Sequence, residues 1–258
     1  MLSKPEVQLM ARMQLAKDLA CSPRDFTRHS NTVTPFQVQE GRRPFQQREF
    51  LYAACFGRGA VFSADPAIHE AVQASSVRRK GQEWFEHGAM RELDRILEPH
   101  GWAMGNVYLV YLPEFLLRRA DSGLSPVRWF EGDAVQQLYA NPSFPNALTY
   151  CPDSPRPDVL AVAGCDENGK ITGLAGASED SREFWQIGID VLPENRREGL
   201  GTYLVNLLTA EIIRRDAIPY YATLAGNIAS RSIARKCGYY PAWVEMHAVP
   251  AGKESESF

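Results

Sequence analysis

The stretch DVLPENRREGLG, residues 190–201, joins an apolar strand to a long amphipathic helix. The strand is EFWQIGIDV, residues 183–191, and it is followed by a proline at position 193. The helix, LGTYLVNLLTAEIIRRD at 200–216, carries leucine and isoleucine at helical spacing. The stretch therefore predicts a strand, a tight turn and a new helix N-terminus.

The residues of this turn are typical of a site for an anion. The start of a helix leaves backbone N–H groups without partners and carries partial positive charge. Gly199 and Gly201 let a ligand approach the main chain, and Arg196 and Arg197 add positive charge. No Gly-Lys-Ser/Thr follows and the spacing is not GxGxxG, so neither a Walker A loop nor a dinucleotide fingerprint is present. A phosphate-binding turn and an ordinary turn whose glycines only relieve crowding both fit these residues.

Composition restricts the class of protein. The chain has 258 residues, 45% hydrophobic and 23% charged, which suits one large domain or two modest ones. A formal net charge of -3 argues against a general nucleic-acid or membrane binder. The N-terminal twenty residues carry too many charges for a signal-peptide core, and no apolar run reaches spanning length. We expect a cytoplasmic protein that binds neither nucleic acid nor membranes.

Cysteine and histidine are scattered. The five cysteines are an odd number without CxxC spacing, which favours reduced thiols over a disulfide framework or a zinc site. The five histidines are also isolated, so we expect no metal site.

The two halves of the chain read differently. Residues 1–125 alternate helical and strand patterns, including a hairpin at EFLYAACFGRGAVFSA, and contain no readable catalytic motif. After a connector, the second half predicts a hairpin turning at 167–170, the strand of 183–191, the long helix, a strand at 219–226, a short helix at 227–238 and a last strand. We therefore predict an N-terminal α/β domain of unknown role at 1–125, a second domain at 126–250 and a flexible tail at 251–258.

The pattern Val191-Leu192-Pro193-x-x-Arg196-x-x-Gly199-x-Gly201, opening a helix, resembles the acetyl-CoA signature of the GNAT superfamily of N-acetyltransferases. The strand that follows and the helix from Asn227, ending KCGYYPAW, resemble the next motif of that family. The resemblance covers roughly residues 127 to 250. It implies an α/β (α+β) fold with a mixed, mostly antiparallel sheet flanked by helices. The whole sequence is similar to the branch of zwittermicin-resistance-like proteins, in which a smaller N-terminal α/β domain comes first.

The resemblance implies a role for each residue of the turn. Acetyl-CoA is the expected cosubstrate, and the main chain of Ile189 and Val191 would bind its pantetheine arm. The amides of residues 197–201 would hold the pyrophosphate; these are Arg197, Glu198, Gly199, Leu200 and Gly201. Arg196 occupies the Gln/Arg position of the signature, and Asn227 would bind the pantetheine while also suiting a plain helix cap.

The sequence departs from the family pattern at two positions. Glu198 places a carboxylate next to the expected pyrophosphate, and we expect it to point to solvent. Many members carry a tyrosine seven residues after the helix asparagine, to protonate the departing thiolate, and Ala234 stands there. Tyr239, Tyr240 and Ser230 are alternative proton donors, although a structural role fits each of them at least as well.

An attacking amine must also lose its proton to a base or an ordered water. Glu183 is in phase with Val191 at the start of the strand and is the candidate base. Glu179 and Asp180 lie in the adjacent loop, and Asp190 points to the opposite face. For each of these acids, a solvated surface carboxylate is the competing interpretation.

Two hypotheses follow. The first is an acyltransferase that moves an acetyl group from acetyl-CoA to a primary amine of a small molecule by direct attack, with an amino-group-bearing antibiotic as one possible acceptor. The second, suggested by Ala234, is a CoA-binding protein of this fold with little or no transferase activity. The sequence names neither the acceptor nor the oligomeric state.

Overall fold

The computed structural model describes residues 3–43, 49–114, 124–196 and 198–252. Arg197 lies outside the described residues, as do residues 253–258 of the predicted tail. Helices α1–α5 are Lys4–Asp18, His69–Ser76, His87–Leu97, Leu200–Arg214 and Ile228–Lys236. Strands β1–β10 are Thr32–Pro35, Leu51–Cys55, Ala60–Ala64, Trp102–Pro113, Val127–Glu131, Asp158–Cys165, Ile171–Glu179, Phe184–Val191, Ile218–Leu224 and Tyr239–Pro250. The short 3-10 segments are Asp25–Thr27, Gly81–Phe85, Glu98–His100, Gly132–Ala140 and Pro193–Asn195.

The chain divides into two compact units. Unit 1 contains the described residues up to Val110, the segment Thr223–Gly226 and the described residues from Pro241 on. Unit 2 contains the described parts of Tyr111–Ala222 and Asn227–Tyr240. The expected boundary between residues 125 and 126 stays a prediction.

Unit 1 has the strand order β1-β3-β2-β10-β4. The strands β2 and β3 form the predicted antiparallel hairpin, and β10 is antiparallel to β2 from Val244↔Cys55 to His247↔Tyr52. Every residue of β2 and β3 is buried, which explains why both read as unbroken apolar runs. Their core includes Trp84 and Leu93, from the segments that follow β3.

Charged side chains are also buried in unit 1. The Arg43 guanidinium is 1% exposed, with its Nε 2.7 Å from Asp18 and one Nη 3.2 Å from Glu245. That same nitrogen donates to the Tyr52 hydroxyl at 2.9 Å. A buried cation needs such partners because burial removes its hydration. The network ties α1 and β2 to the last strand.

Unit 2 has the strand order β9-β8-β7-β6-β5. Its strands β5 to β8 are antiparallel neighbours, and β8 and β9 are parallel. The predicted hairpin of β6 and β7 is confirmed, with Gly169 at φ +79° in its turn. The structure thus confirms the mixed, mostly antiparallel sheet flanked by helices.

Small residues let both faces of this sheet be covered closely. On one face, the first residue of α4, Leu200, lies over Gly164 and Gly173. On the other face, the main chain of Asn146 and Ala147 approaches so closely that no side chain would fit at Gly188. Helix α4 therefore starts directly over the sheet, next to the end of β8.

Candidate functional site

The turn between β8 and α4 exposes an uncapped helix N-terminus. Gly199 is the N-cap residue of α4 at φ +88°, a left-handed conformation that favours glycine, and no side chain accepts a hydrogen bond from this helix start. The first bond of the helix runs from the Tyr203 N–H to the Gly199 carbonyl at 3.0 Å. The N–H groups of residues 200–202 precede that bond and are available to an anion.

The two glycines of the turn have different surroundings. A Cβ built on Gly199 would have one neighbour within 4 Å, Leu124 at 3.8 Å, so this side of the turn is open as far as the described residues show. A Cβ on Gly201 would lie 3.1 Å from Ile233 and 3.4 Å from Val191. Gly201 therefore lets α4 approach β8 and α5, whereas Gly199 leaves the helix start accessible.

Two charged residues of the turn, Arg196 and Glu198, are exposed. Arg196 donates from Nε to the Val191 carbonyl at 3.0 Å, which ties the turn to the end of β8. Glu198 carries an exposed side chain, so it adds no buried negative charge at the helix start.

The strands β8 and β9 separate within this site. They pair only at residues 184–186 with 218–220, whereas β8 and β7 stay paired as far as Val191. Among the residues that the structure describes, no β8–β9 pair follows Gln186↔Tyr220. Residues 187–191 therefore have a free main-chain edge on the β9 side.

The direction of the main chain identifies the groups on this edge. The Leu192 N–H donates to the Thr172 carbonyl on β7 at 2.9 Å. Because successive residues of a strand bond to opposite sides, the main-chain groups of Val191 and Ile189 point away from β7. Arg196 already occupies the Val191 carbonyl, so the N–H of Val191 and both main-chain groups of Ile189 are the ones available.

Helix α5 lies next to Gly201 of α4, where its Ile233 side chain would be 3.1 Å from an added Cβ. The Asn227 side chain caps it by accepting a hydrogen bond from the Ser230 N–H at 3.1 Å. The cap interpretation of Asn227 is therefore correct, and its side-chain amide N–H groups have no partner in the described part of the chain. Ala234 is fully buried about two turns further along.

The alternative proton donors differ in their surroundings. The hydroxyl of Tyr239 lies 2.7 Å from the Thr209 hydroxyl, in a pair that is fully buried and structural. Ser230 is half-buried, in the first turn of α5. A further tyrosine, Tyr221 on β9, is 3% exposed and was not among the predicted donors.

Sequence analysis also missed a buried polar cluster where β8 and β9 are still paired. Asp180 is 2% exposed and accepts hydrogen bonds from Ser178 at 2.7 Å, from Arg156 at 3.2 Å and from the hydroxyl of Tyr220. Tyr220 also lies 2.8 Å from Gln186. The expectation of a solvated Asp180 is wrong, because a buried carboxylate with these donors needs no water. No local signal reveals the cluster, since its members come from four separate segments.

The other acids of the site lie apart from the helix start. Glu183 comes just before β8, and its main-chain carbonyl accepts from the Ile218 N–H at 2.7 Å, so it lies where β8 and β9 are joined. Asp190 points to the face opposite α4, as expected, and accepts from the Asn146 side-chain amide at 3.0 Å. The structure thus brings together Ile189, Val191, Arg196, Glu198, Gly199, Leu200 and Gly201, and leaves Glu183 at the far end of the strand.

The described residues contain neither a membrane-spanning helix nor a metal-binding cluster. In that part of the chain, no helix is both long enough and apolar enough to cross a membrane. Likewise, the described His, Cys, Asp and Glu side chains form no group of three or more that could hold a metal ion.

The chain is similar to known proteins in two ways: part of its sequence matches a family model, and its fold is similar to those of solved structures. Residues 128–239 match the family model described as Acetyltransferase (GNAT) family. A search of curated proteins found no significant match.

Solved structures with a similar fold include several acetyltransferases. A GCN5-related N-acetyltransferase from Kribbella flavida is 16% identical over 96% of both chains, with a TM-score of 0.50. A GCN5-related N-acetyltransferase from Sphaerobacter thermophilus is 12% identical, over 77% of this chain and 75% of that one, with a TM-score of 0.42. An acetyltransferase of the GNAT family from Colwellia psychrerythraea is 13% identical over 57% of each chain, with a TM-score of 0.41. Residues 128–239 thus resemble the GNAT acetyltransferase family in sequence, and the chain shares its fold with the first of these structures.

Proposed function

We propose that this protein transfers the acetyl group of acetyl-CoA to a primary amine of a small molecule, by direct attack of the amine on the thioester. The observation that carries the proposal is the uncapped start of α4, placed at the end of a strand whose free edge leads into the sheet. An anionic group and an extended amide-bearing arm would be bound side by side there.

The helix start fits the pyrophosphate of the cosubstrate. The N–H groups of Leu200 and Gly201 have no side-chain cap, and the open side at Gly199 gives an anion access to them. Arg196 adds a positive charge at the turn, and the exposed Glu198 can turn to solvent. Arg197 is proposed from the sequence to contribute its amide.

The free edge of β8 fits the pantetheine arm. The N–H of Val191 and the main-chain groups of Ile189 are available to pair with amides of the arm, as a neighbouring strand would. From Val191 to Ile187 is four residues, or about 13 Å at 3.3 Å per residue. An extended arm running back from the helix start therefore ends near Ile187, where β8 and β9 meet. The Asn227 amide N–H groups are proposed to bind the arm from α5.

The amine would reach the thioester where the two strands part. Glu183 is the proposed base, but it lies four residues beyond Ile187, or about 13 Å along the strand. It would therefore act through ordered water rather than by direct contact. Glu183→Gln distinguishes a base from a solvated surface carboxylate. Only the loss of a base would change the pH dependence of kcat/KM.

Three finer statements belong to the same proposal. We infer a branch with an added N-terminal domain, similar to zwittermicin-resistance-like proteins, so amino-bearing antibiotics belong in any acceptor panel. We place the reaction in the cytoplasm, which is compatible with five free cysteines among the described residues. Acetyl-CoA is the cosubstrate, and no step of the proposed reaction requires a metal.

Calorimetric titration with acetyl-CoA, CoA and ATP tests the binding step, and Gly199→Val tests its location. Valine is strained at φ +88° and brings a branched side chain to the open side of the turn. We expect acetyl-CoA affinity to fall at least roughly tenfold, which is about 1.4 kcal/mol. Gly101→Val is the matched control, because Gly101 has φ +76° in the turn before β4 of unit 1 and would add the same kind of strain.

Equal acetyl-CoA affinities in the two variants would contradict the placement of the pyrophosphate. Release of CoA thiol across a panel of amines then tests transfer. Tight binding of acetyl-CoA without any acceleration by an amine would favour the second hypothesis, a CoA-binding protein with little or no transferase activity.

A further inference from the structure

In the proposed reaction, position 234 of α5 offers no proton donor. When the carbon–sulfur bond breaks, the electron pair stays on sulfur, which is then a thiolate that an acid would stabilise. Ala234 is fully buried and offers only a methyl group. The hydroxyl of Tyr239 is buried against the Thr209 hydroxyl at 2.7 Å.

The register of β8 and β9 identifies the side chain next to the expected sulfur. The last pair is Gln186↔Tyr220, so Tyr221 is the first β9 residue past the point where the strands part. Ile187, where the extended arm would end, is the first β8 residue past the same point. The end of the arm and Tyr221 are therefore neighbours across the opening of the gap.

Side-chain direction places Tyr221 on the α5 side of the sheet. Its predecessor, Tyr220, points to the Asp180 cluster on the other face, and successive side chains of a strand alternate. The ring of Tyr221 lies edge-on to the Tyr239 ring, with centroids 6.4 Å apart. Its hydroxyl also hydrogen-bonds to the Ser230 side chain in the first turn of α5, the helix that carries Ala234.

The surroundings keep the Tyr221 phenol protonated. Burial raises the pKa of Tyr221 to about 12, the Ser230 side chain opposes this by hydrogen bonding, and the Asp190 carboxylate adds to the rise. The hydroxyl therefore carries its proton throughout the neutral range.

We propose that Tyr221 donates a hydrogen bond, and then its proton, to the sulfur of the departing CoA, in place of the tyrosine that is missing at position 234. The step rests on the proposed function. The amine nitrogen forms a bond to the acetyl carbon, the carbon–sulfur bond breaks, and sulfur takes the phenolic proton to leave as the thiol. The proton lost by the nitrogen returns to the Tyr221 oxygen through solvent, so the enzyme is restored.

Binding of CoA and of desulfo-CoA, which lacks the sulfur, tests the contact without turnover. We expect the wild-type protein to bind CoA roughly three- to tenfold more tightly, the contribution of one net hydrogen bond. Tyr221→Phe should remove this difference. Tyr239→Phe is the matched control, since it removes another buried phenolic hydroxyl of the same unit and should keep the difference.

A second measurement separates proton donation from packing. Tyr221→Phe should lower kcat with acetyl-CoA about a hundredfold, as loss of a general acid does. The loss should shrink with acetyl-seleno-CoA, because a selenolate is a weak base that leaves without a proton. An equal loss with both donors, or an unchanged preference for CoA in Tyr221→Phe, would overturn the role of Tyr221 while leaving the proposed function in place. Failure of the wild-type protein to bind acetyl-CoA would overturn both.

Discussion

Asp180 is the residue that we expect to contribute most to the stability of the paired part of β8 and β9. Its side chain is fully buried, and Arg156, the cation paired with it at 3.2 Å, is 14% exposed. Asp180→Asn would remove the carboxylate charge that faces Arg156 and mismatch the donors of Ser178 and Tyr220. Breaking a buried pair in this way costs about 3 kcal/mol or more. We expect urea unfolding to show this loss.

Glu194→Gln is the control for this substitution. Glu194 lies 4.0 Å from Lys170, and both side chains are more than 60% exposed. Exposed pairs contribute about 0–1 kcal/mol, so this change should leave the urea midpoint almost unaltered. Comparable midpoints for the Asp180 and Glu194 variants would show that the buried cluster does not stabilise the unit.

At the scale of single residues, local sequence signals predicted the glycines of the turn but not the importance of Tyr221 and Asp180. Gly199 and Gly201 could be recognised because a helix start and glycine spacing are readable over a few letters. Tyr221 and Asp180 could not, since their importance depends on the register between β8 and β9. A register of this kind joins residues more than thirty positions apart in sequence, and nothing local encodes it.

At the scale of elements, helix α4 carries a compact ion cluster at its C-terminal end. Glu211 accepts hydrogen bonds from Arg214 at 2.6 and 2.8 Å and from Arg215 at 2.8 Å. The Arg214 hydrogen bonds, followed by those of Arg215, lower the pKa of Glu211 to about 2. Because the folded value lies below the unfolded one of about 4.3, the carboxylate stabilises the fold above that pH.

This stabilisation is lost as the pH falls from about 4.5 towards 2. Glu211→Gln should therefore be less stable than the wild-type protein at pH 6 and approach it at pH 2.5. Urea midpoints measured at both values test the prediction. A gap between the two proteins that stays constant with pH would contradict it.

The helices and strands were largely predictable from the sequence, but the separation of β8 from β9 was not. The β6–β7 hairpin and the order β8, α4, β9, α5 follow from periodicity, an Asn-Gly turn and cap residues. The free edge of β8 was expected only from the resemblance to a family. Its physical cause is that β9 follows β8 for three residue pairs and then departs, which depends on tertiary packing.

At the scale of the whole chain, unit 1 is formed by an N-terminal segment and a C-terminal segment of the sequence. Strand β10 pairs with β2 from Val244↔Cys55 to His247↔Tyr52, and it supplies Glu245 to the buried Arg43. From the sequence, residues 1–125 are predicted to form one domain. The residues of the last strand give no local signal of a partner two hundred positions earlier. The β2 partner and the Arg43 partner are both provided by the C-terminal segment.

A chain ending at Tyr240 should therefore fail to fold unit 1. It would lack Met246 and Ala248, both fully buried in the core of that unit, and would leave β2 without its β10 partner and Arg43 without Glu245. Loss of two fully buried core side chains costs several kcal/mol, and together with the lost strand pairing it approaches the whole stability of a domain. Circular dichroism on heating should show at most one weakened transition, whereas a chain ending at Gly252 should melt like the full-length protein. A cooperative, unshifted melt of the shorter chain would mean that unit 1 is complete without β10.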